Sequence, residues 1–547
     1  MAPIPPSPAA RSAVPPPVNE PVRQYAPESP ERASLQATLR EMAGDVMDVP
    51  LFVGAREVRT AEQSDAVMPH DHRHVVARVH QATPEHVRAA IVAAAEAHRE
   101  WSRWPFEARA AVFLRAAELL AGPWRDRMNA ATMLNQSKTP HQAEIDAACE
   151  LIDFFRYNVH YAQRLMEDMP ISPLGSWNRL DFRPLEGFVL AVTPFNFTSI
   201  AVNLPTAPAL LGNTVVWKPA VNAAVSAHVG MELLRAAGLP DGVINVVHGD
   251  PPSLVGAALD HPDLSGMHFT GSTTVLRQLW HRIGERLDTY RDYPRVVGES
   301  GGKDFVLVHA SAEPVAVATA LVRGAFEYQG QKCSAASRAY LPRSRWPEIQ
   351  DALVGMVGDI RMGDPADFST FMGAVIDRRA FDRHREAIEL ARSSPAAEII
   401  AGGGTDDSTG YFVEPTVIVT TDPAFDLMRR ELFGPILTVF VYEDADWERT
   451  LDLVDASTPY GLTGAVFGRD RAAIEGALDR LRYAAGNVYI NDKPTGAVVG
   501  QQPFGGGRAS GTNDKAGSIL NLLRWVSPRA IKETWVPPTR YEYPYMG

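Results

Sequence analysis

The sequence predicts an α/β protein built on doubly wound parallel sheet. Between residues 187 and about 300, short apolar runs alternate with helix-like stretches, at a spacing that allows one crossover helix between strands. A second alternation of the same kind runs from about 300 to 495. The runs are continuously apolar rather than apolar on one face, which is what a sheet covered on both sides requires.

In chain order, residues 1 to about 32 are rich in Pro, Ala and Ser and read as an extended arm or a disordered tail. A helix is expected from Thr83, with Thr83 as the cap and Pro84 in the first turn. Val87, Ala90, Ile91 and Ala94 then share one face. GFVLAV (187–192) predicts a buried strand, followed by a helix around Ile200 to Leu211. TVVWKP (214–219) is the next strand, and residues 222–237 form a helix stopped by Gly238 and Pro240. VINVVHG (243–249), GMHFTG (266–271) and YPRVVGES (293–300) continue the strands, with helices between them. In the second segment the candidate strands are DFVLVH (304–309), ASRAYLP (336–342), TVIVT (416–420) and LTVFVY (437–442). Parallel sheets bind ligands beyond the C-terminal ends of their strands. Asn196, Lys218, Gly271 and Ser272 fall at or just after such ends.

Acidic residues outnumber basic ones by 65 to 53, a formal charge of −12. That balance argues against nonspecific binding to nucleic acid or an anionic membrane. No apolar run is long enough to cross a bilayer. The opening MAPIPPSPAARSAVPPPVNEP lacks the basic and apolar regions of a secretory signal, and its prolines disfavour the helix of a transit peptide. With Cys149 and Cys333 the two cysteines, no disulfide framework is expected, and a reducing compartment, the cytoplasm, is.

Two motifs point elsewhere. GESGG (298–302) fits the nucleophile elbow of a serine hydrolase, with Ser300 as the nucleophile. That alternative needs a histidine late in the chain, and after Ser300 only His309 and His384 remain. His70, His72 and His74 are spaced like metal ligands but lack the usual Cys or carboxylate partners, so they read as hydrogen-bonded or surface residues and no metal is expected. The glycine triplets at 402–404 and 505–507 do not join a strand to a helix as a dinucleotide fingerprint does.

The chemistry-bearing segments are TPFNF (193–197), WKPA (217–220), FTGS (269–272), GESGGK (298–303), GQKCSAASR (330–338), ELFGP (431–435) and PFGGGRASG (503–511). Cys333 lies in a polar, Gly/Ser-rich stretch behind Lys332, whose charge is expected to lower the thiol pKa. Cys149, in the apolar AACELIDFF, reads as buried and inert. In this combination and order the segments resemble the aldehyde dehydrogenase superfamily, over nearly the whole chain beyond the arm. The resemblance implies a doubly wound, Rossmann-like NAD domain, an α/β catalytic domain and a small β oligomerisation flap.

It also implies roles. Oxidising an aldehyde to an acid needs a nucleophile, because hydride leaves most readily from a tetrahedral adduct, and the Cys333 thiolate fits. Asn196 is expected to donate to the adduct's oxyanion beside the Cys333 N–H. Glu299 resembles the general base that hydrolyses the thioester, in a stretch apolar enough to raise its pKa. For NAD, Lys218 resembles the adenosine-ribose ligand and Glu431 the nicotinamide-ribose ligand. Phe433 is expected to pack beside the nicotinamide, and Ser272 to contact the pyrophosphate at a helix N-terminus. Pro194, Phe195 and Gly271 complete the expected cofactor contacts. Val221 stands where many relatives carry a ribose-binding Glu, which weakens the argument for NAD over NADP.

QKCSA, TGAVVGQQPFGGGRASGTNDKAG (495–517) and LLRWVSPRAIKETW narrow the resemblance to the Δ1-pyrroline-5-carboxylate dehydrogenases, as do NEPV, YAPESPER and AEIDAACELIDFFRYN (143–158). The implied reaction is oxidation of L-glutamate γ-semialdehyde to L-glutamate, the last step of proline breakdown; another semialdehyde is the alternative. Lys332 and Ser334 are expected to bind the substrate carboxylate. Gly496 and Ala497 resemble the aldehyde anchor loop, although Ala497 lacks the hydroxyl of Ser-bearing relatives. Phe197 and Phe504 read as aromatic walls or as core residues. Glu150 is expected to offset the Lys332 charge. The expected division is an arm over 1–50, an NAD-binding domain over 51–171 and 187–297, and a catalytic domain over 298–495. The anchor loop and a return to the first domain follow over 496–527. A flap over 172–186, read as an extended hairpin, and 528–547 would cover a second copy in a homodimer or a larger oligomer built from dimers.

Overall fold

The structure, a computed structural model, describes residues 13–547; residues 1–12 of the expected arm lie outside the described residues. Residues 13–29 run without helix or strand along the helix Leu151–Glu167. Asn19 Nδ2 and the Glu20 N–H each donate to the Asp153 carboxylate at 2.8 Å. The arm is not extended throughout: Pro30–Ala43 is a helix, capped by Ser29 with proline in its first turn.

The first sheet has five parallel strands in the spatial order Arg295–Glu299, Leu264–Thr270, Phe188–Val192, Thr214–Lys218, Ile244–Val246. Two short antiparallel strands, Leu51–Val53 and Arg56–Val58, extend it. Val189, Ala191, Val215 and Trp217 pack into one core, while Phe188, Leu190 and Val216 pack into the core on the opposite face. Successive side chains thus feed two interiors, which is why these strands read as unbroken apolar runs. The helix expected at Thr83 is Pro84–Trp101, with Val87, Ala90, Ile91 and Ala94 buried. Chain order reverses between Phe188–Val192 and Leu264–Thr270, which opens a crevice at their C-terminal ends.

The second sheet runs Ala397–Ala401, Thr416–Thr420, Ile436–Tyr442, Ala336–Pro342, Asp304–Val308, Thr463–Phe467, Asn487–Ile490, and only the first of these is antiparallel to its neighbour. Here too Phe305 and Leu307 face one core and Val306 and Val308 the other. Thr463–Phe467 and Asn487–Ile490 were not expected. Gly464 weakens the first as a strand signal, yet a Cβ there would sit 2.1 Å from the Phe305 ring. The second lies at the sheet edge, with exposed Val488 and Ile490.

The segment 172–186 forms no hairpin of its own. Its strand Ser176–Arg183 pairs antiparallel with Ser527–Thr534 along its whole length, from Arg183 opposite Ser527 to Ser176 opposite Thr534. Leu522, Trp525 and Val526, just before this strand, are buried in the core of the first sheet. Among the described residues, no helix is long and apolar enough to cross a membrane.

Candidate active site

The C-terminal ends of the first sheet face the N-terminal ends of the second. Glu299 ends one strand, Asp304 begins another, and Cys333 and Glu431 precede the strands Ala336–Pro342 and Ile436–Tyr442. The turn from Glu299 to Asp304 has no room for side chains at its two glycines. A Cβ on Gly301 would lie 2.1 Å from Glu431 Oε2, and one on Gly302 would lie 2.2 Å from the Cys333 carbonyl oxygen. The Gly302 N–H donates to Glu431 Oε1 at 2.9 Å. The glycines of GESGGK therefore let base, nucleophile and Glu431 crowd around one point.

Cys333 is half-buried. Burial, reinforced by Asp304, Glu299 and Glu431, pushes its thiol well above the ordinary range. The expected activation by Lys332 is absent, because the Lys332 ammonium lies 3.1 Å from Glu327 Oε2, which neutralises it. Glu299 is pushed up by burial as well, and its Oε2 has no hydrogen-bond partner among the described residues. The Gly506 N–H and the Lys515 charge oppose that rise. Lys515 is itself held by the carbonyls of Gly486 and Gly505, at 2.8 and 2.9 Å. A neutral thiol and a buried carboxyl with a free oxygen have the chemistry a nucleophile and a base need.

The segment Tyr328–Gln329–Gly330, leading to Cys333, takes three successive left-handed conformations, with φ of 50°, 54° and 63°. Gln329 Nε2 holds it, donating to the carbonyls of Ser137 and Ala374 at 3.0 and 2.7 Å. Asn196 is buried in the loop after Phe188–Val192, and its amide makes no hydrogen bond among the described residues. Pro194 is buried in the same loop, and Gln136 Nε2 donates to the Phe195 carbonyl. Lys138 joins the two segments, its ammonium 4.5 Å from the Phe197 ring centre and 4.4 Å from that of Tyr328.

The residues expected to hold a dinucleotide fit one. Lys218 ends its strand buried at 4 % exposure, without an ion pair among the described residues, and burial lowers its pKa to about 8. Ser272 caps the helix Thr273–Gly284, accepting from the Val275 N–H at 3.3 Å, and Gly271 precedes it. The helix N-terminus beside the crevice suits a phosphate. The Phe195 and Phe433 rings meet edge to face at 5.8 Å, and Glu431, two residues before Phe433, is held by the Gly302 N–H.

The aldehyde dehydrogenase family model matches residues 57–529. The chain belongs to the aldehyde dehydrogenase family. It is 50 % identical to the mitochondrial Δ1-pyrroline-5-carboxylate dehydrogenase of Dictyostelium discoideum, over 98 % of this chain and 97 % of that one. The human mitochondrial protein of the same name is 48 % identical over 96 % of this chain and 94 % of its own. A crystal structure of the Mycobacterium tuberculosis Δ-pyrroline-5-carboxylate dehydrogenase bound with NAD is 54 % identical. It superposes with a TM-score of 0.96, covering 98 % of this chain and 100 % of that one.

In this aldehyde dehydrogenase, Ser334 Oγ lies 2.8 Å from Thr495 Oγ1, which ties the residue after the nucleophile to the loop of Gly496 and Ala497. Gly496 has φ +99°, so the turn needs glycine. Phe197 and Phe504 are half-buried and belong to none of the hydrophobic cores; Phe504 exchanges two backbone hydrogen bonds with Ala516. The expectation for Glu150 is corrected. It accepts from Ser199 Oγ at 2.9 Å, and Glu327 is the partner of Lys332. Ser300 Oγ donates to the Ala509 carbonyl and meets Thr273, and among the described residues no histidine bonds it, so the hydrolase alternative falls. His70 bonds Ser137, His72 the Asp407 carbonyl and His74 the Ala43 carbonyl, three separate segments.

Several site residues were missed. Asp304 opens an apolar run and carries no sign in the sequence of a role in the site. It is buried with Oδ2 unpartnered, and burial pushes its pKa up to about 8. Glu327 and Lys138 lie outside the quoted motifs and become legible only through their partners.

Proposed function

We propose that the chain oxidises L-glutamate γ-semialdehyde to L-glutamate with NAD, as the last step of proline degradation. The observation that carries the chemistry is the meeting of the Glu299 and Cys333 segments at Gly302, with one oxygen of the buried Glu299 carboxyl unpartnered among the described residues. The near full-length similarity to proteins named Δ1-pyrroline-5-carboxylate dehydrogenase supports the substrate.

The Cys333 thiol loses its proton to solvent water, and its sulfur then attacks the aldehyde carbon. The Asn196 amide and the Cys333 N–H stabilise the resulting oxyanion. NAD, when bound, accepts the hydride that leaves the adduct. A thioester remains on Cys333. Glu299 takes a proton from water, the hydroxide attacks the thioester carbon, and glutamate departs as the sulfur regains a proton. Lys218, Gly271 and Ser272 would hold the adenosine and pyrophosphate side of the cofactor, and Pro194 and Phe195 would line its path. Glu431 and Phe433 fix the nicotinamide end. Ser334 and the 496–497 backbone meet the substrate's amino acid head, with the Lys332–Glu327 ion pair beside them, and Phe197 and Phe504 flank its aliphatic chain.

The same reading assigns 51–171 and 187–297 to the NAD-binding domain and 298–495 to the catalytic domain. The 496–527 segment is the anchor loop and the return to the first domain, as the burial of Leu522 and Trp525 supports. The flap, 172–186 with 528–547, builds a homodimer or larger homo-oligomer; Leu174, Trp177, Trp535 and Val536 on it are exposed. The free thiols suit a reducing compartment, and we assign the cytoplasm, although several relatives are named mitochondrial. Fractionation of the source cells tests the location.

Substrate identity is tested by steady-state NADH formation with glutamate γ-semialdehyde, succinate semialdehyde and propanal. The expected kcat/KM for glutamate γ-semialdehyde exceeds the others by about 10²-fold, on the order of one charge-assisted contact. Equal values for all three would refute the assignment.

A further inference from the structure

Beside the nucleophile loop lies a cluster of charges that does not balance. Lys332 and Glu327 form an ion pair at 3.1 Å, with side chains only 4 % and 13 % exposed. The charge of Lys493, and that of His141 when protonated, also act on the Glu327 carboxylate. Burial holds His141 below its ordinary pKa, so it is neutral near pH 7. Two ammonium groups therefore share one carboxylate. The excess positive charge falls to Lys493, which makes no ion pair among the described residues. The nearest acid in sequence, Asp492, is exposed and accepts from the Lys493 backbone N–H rather than from its ammonium.

The position of Lys493 is defined by two glycines. A Cβ on Gly324, in the helix Pro314–Phe326, would lie 3.4 Å from the Lys493 Cβ, so the stem packs on that helix. A Cβ on Gly496 would lie 3.6 Å from Lys493 Nζ, so the ammonium stands against the anchor loop. That loop is joined to the residue after Cys333 by the Ser334–Thr495 hydrogen bond. Nucleophile, anchor loop and free cation thus follow one another along a continuous path.

We infer that Lys493 is the specificity-determining cation for the substrate's carboxylate, with Lys332 serving chiefly as the partner of Glu327. The inference rests on the proposed reading that the substrate is an aldehyde bearing a carboxylate. Lys332 is already committed to Glu327 at ion-pair distance, and drawing it to the substrate would weaken that buried pair. Lys493 is half-buried and loses no partner when an anion arrives. A side chain that recognises charge remote from the reacting carbon acts mainly on KM when ground state and transition state bind it alike.

The test measures kcat and KM of the full chain with L-glutamate γ-semialdehyde and with pentanal, for the wild type, K493M, K493R and K332M. K493M is expected to raise KM for the semialdehyde about 10²-fold with kcat within about threefold, collapsing the preference over pentanal by the same factor. K493R should recover most of that preference, which a merely structural role of Lys493 does not require. K332M should lower activity on both substrates together. If K493M keeps the preference while K332M destroys it, the inference is wrong and Lys332 is the carboxylate ligand. If the wild type itself shows no preference for the semialdehyde, the underlying substrate reading fails, and the inference with it.

Discussion

Lys138 Nζ lies 2.6 Å from Asp146 Oδ2, and neither side chain reaches solvent. The Asp146 carboxylate also accepts the backbone N–H groups of Thr198 and Ser199, each at 2.9 Å. The Lys138 ammonium sits between the rings of Phe197 and Tyr328. One buried ion pair therefore clamps the Asn196 loop to the strained turn before Cys333. Replacing Lys138 with Met leaves Asp146 buried and unpaired, and should cost about 3–5 kcal/mol of stability in urea denaturation. The double variant K138M/D146N should recover part of the loss. An unchanged midpoint in K138M would show that the clamp contributes nothing.

The resting state of the nucleophile has a pH signature. Burial and then the nearby carboxylates hold the Cys333 thiol above its ordinary range, so the thiolate fraction grows as pH rises. Without NAD, alkylation of Cys333 by iodoacetamide should have its half-maximal rate above the ~8.5 of a free thiol. Glu299→Gln removes one of the negative charges that raise the pKa, so the profile should move to lower pH. A plateau already below neutrality means a preformed thiolate and contradicts this picture.

Lys218 makes a second pH prediction. Burial brings its pKa down to about 8, so its positive charge is complete below that value and lost above it. NAD affinity, followed by calorimetry, should weaken as pH rises through this range. Lys218→Met should weaken binding about tenfold or more, as loss of a charged hydrogen bond does, and flatten the pH dependence. A K218M protein with the same affinity and pH profile as the wild type removes Lys218 from the cofactor site.

The C-terminal strand offers a test of assembly. Ser527–Thr534 is the whole pairing partner of Ser176–Arg183. Truncation after Ser527 leaves that strand without its neighbour and removes the exposed Trp535 and Val536. Light scattering should then report a smaller species or a loss of protein from solution. An oligomer of unaltered mass argues that the flap does not mediate assembly.

Much of this architecture was legible because buried parallel strands advertise themselves. TVIVT was read at 416–420 and forms a strand over those residues, and the helix face of Val87, Ala90, Ile91 and Ala94 is buried as its periodicity required. Strands broken by glycine or left at an edge, such as Thr463–Phe467 and Asn487–Ile490, carried too little apolar signal. In the site, residues inside compact motifs could be named in advance. What sequence could not supply was pairing. Lys332 next to Cys333 suggested an activating charge, but Glu327, five residues earlier along a turn of unusual backbone, neutralises it. Asp304, the first residue of an apolar run, gave no hint that its carboxyl would face the nucleophile turn.

The central claim is that the aldehyde is oxidised while attached to Cys333 and released by Glu299. A stopped-flow and intact-mass measurement on Glu299→Gln with glutamate γ-semialdehyde and NAD tests it most directly. Hydride transfer precedes hydrolysis, so a burst of NADH close to one per active site should appear and then stall. The stalled protein should carry a glutamyl group on Cys333 and on no other residue. Steady turnover without a burst, or a stalled protein with an unmodified Cys333, contradicts the account.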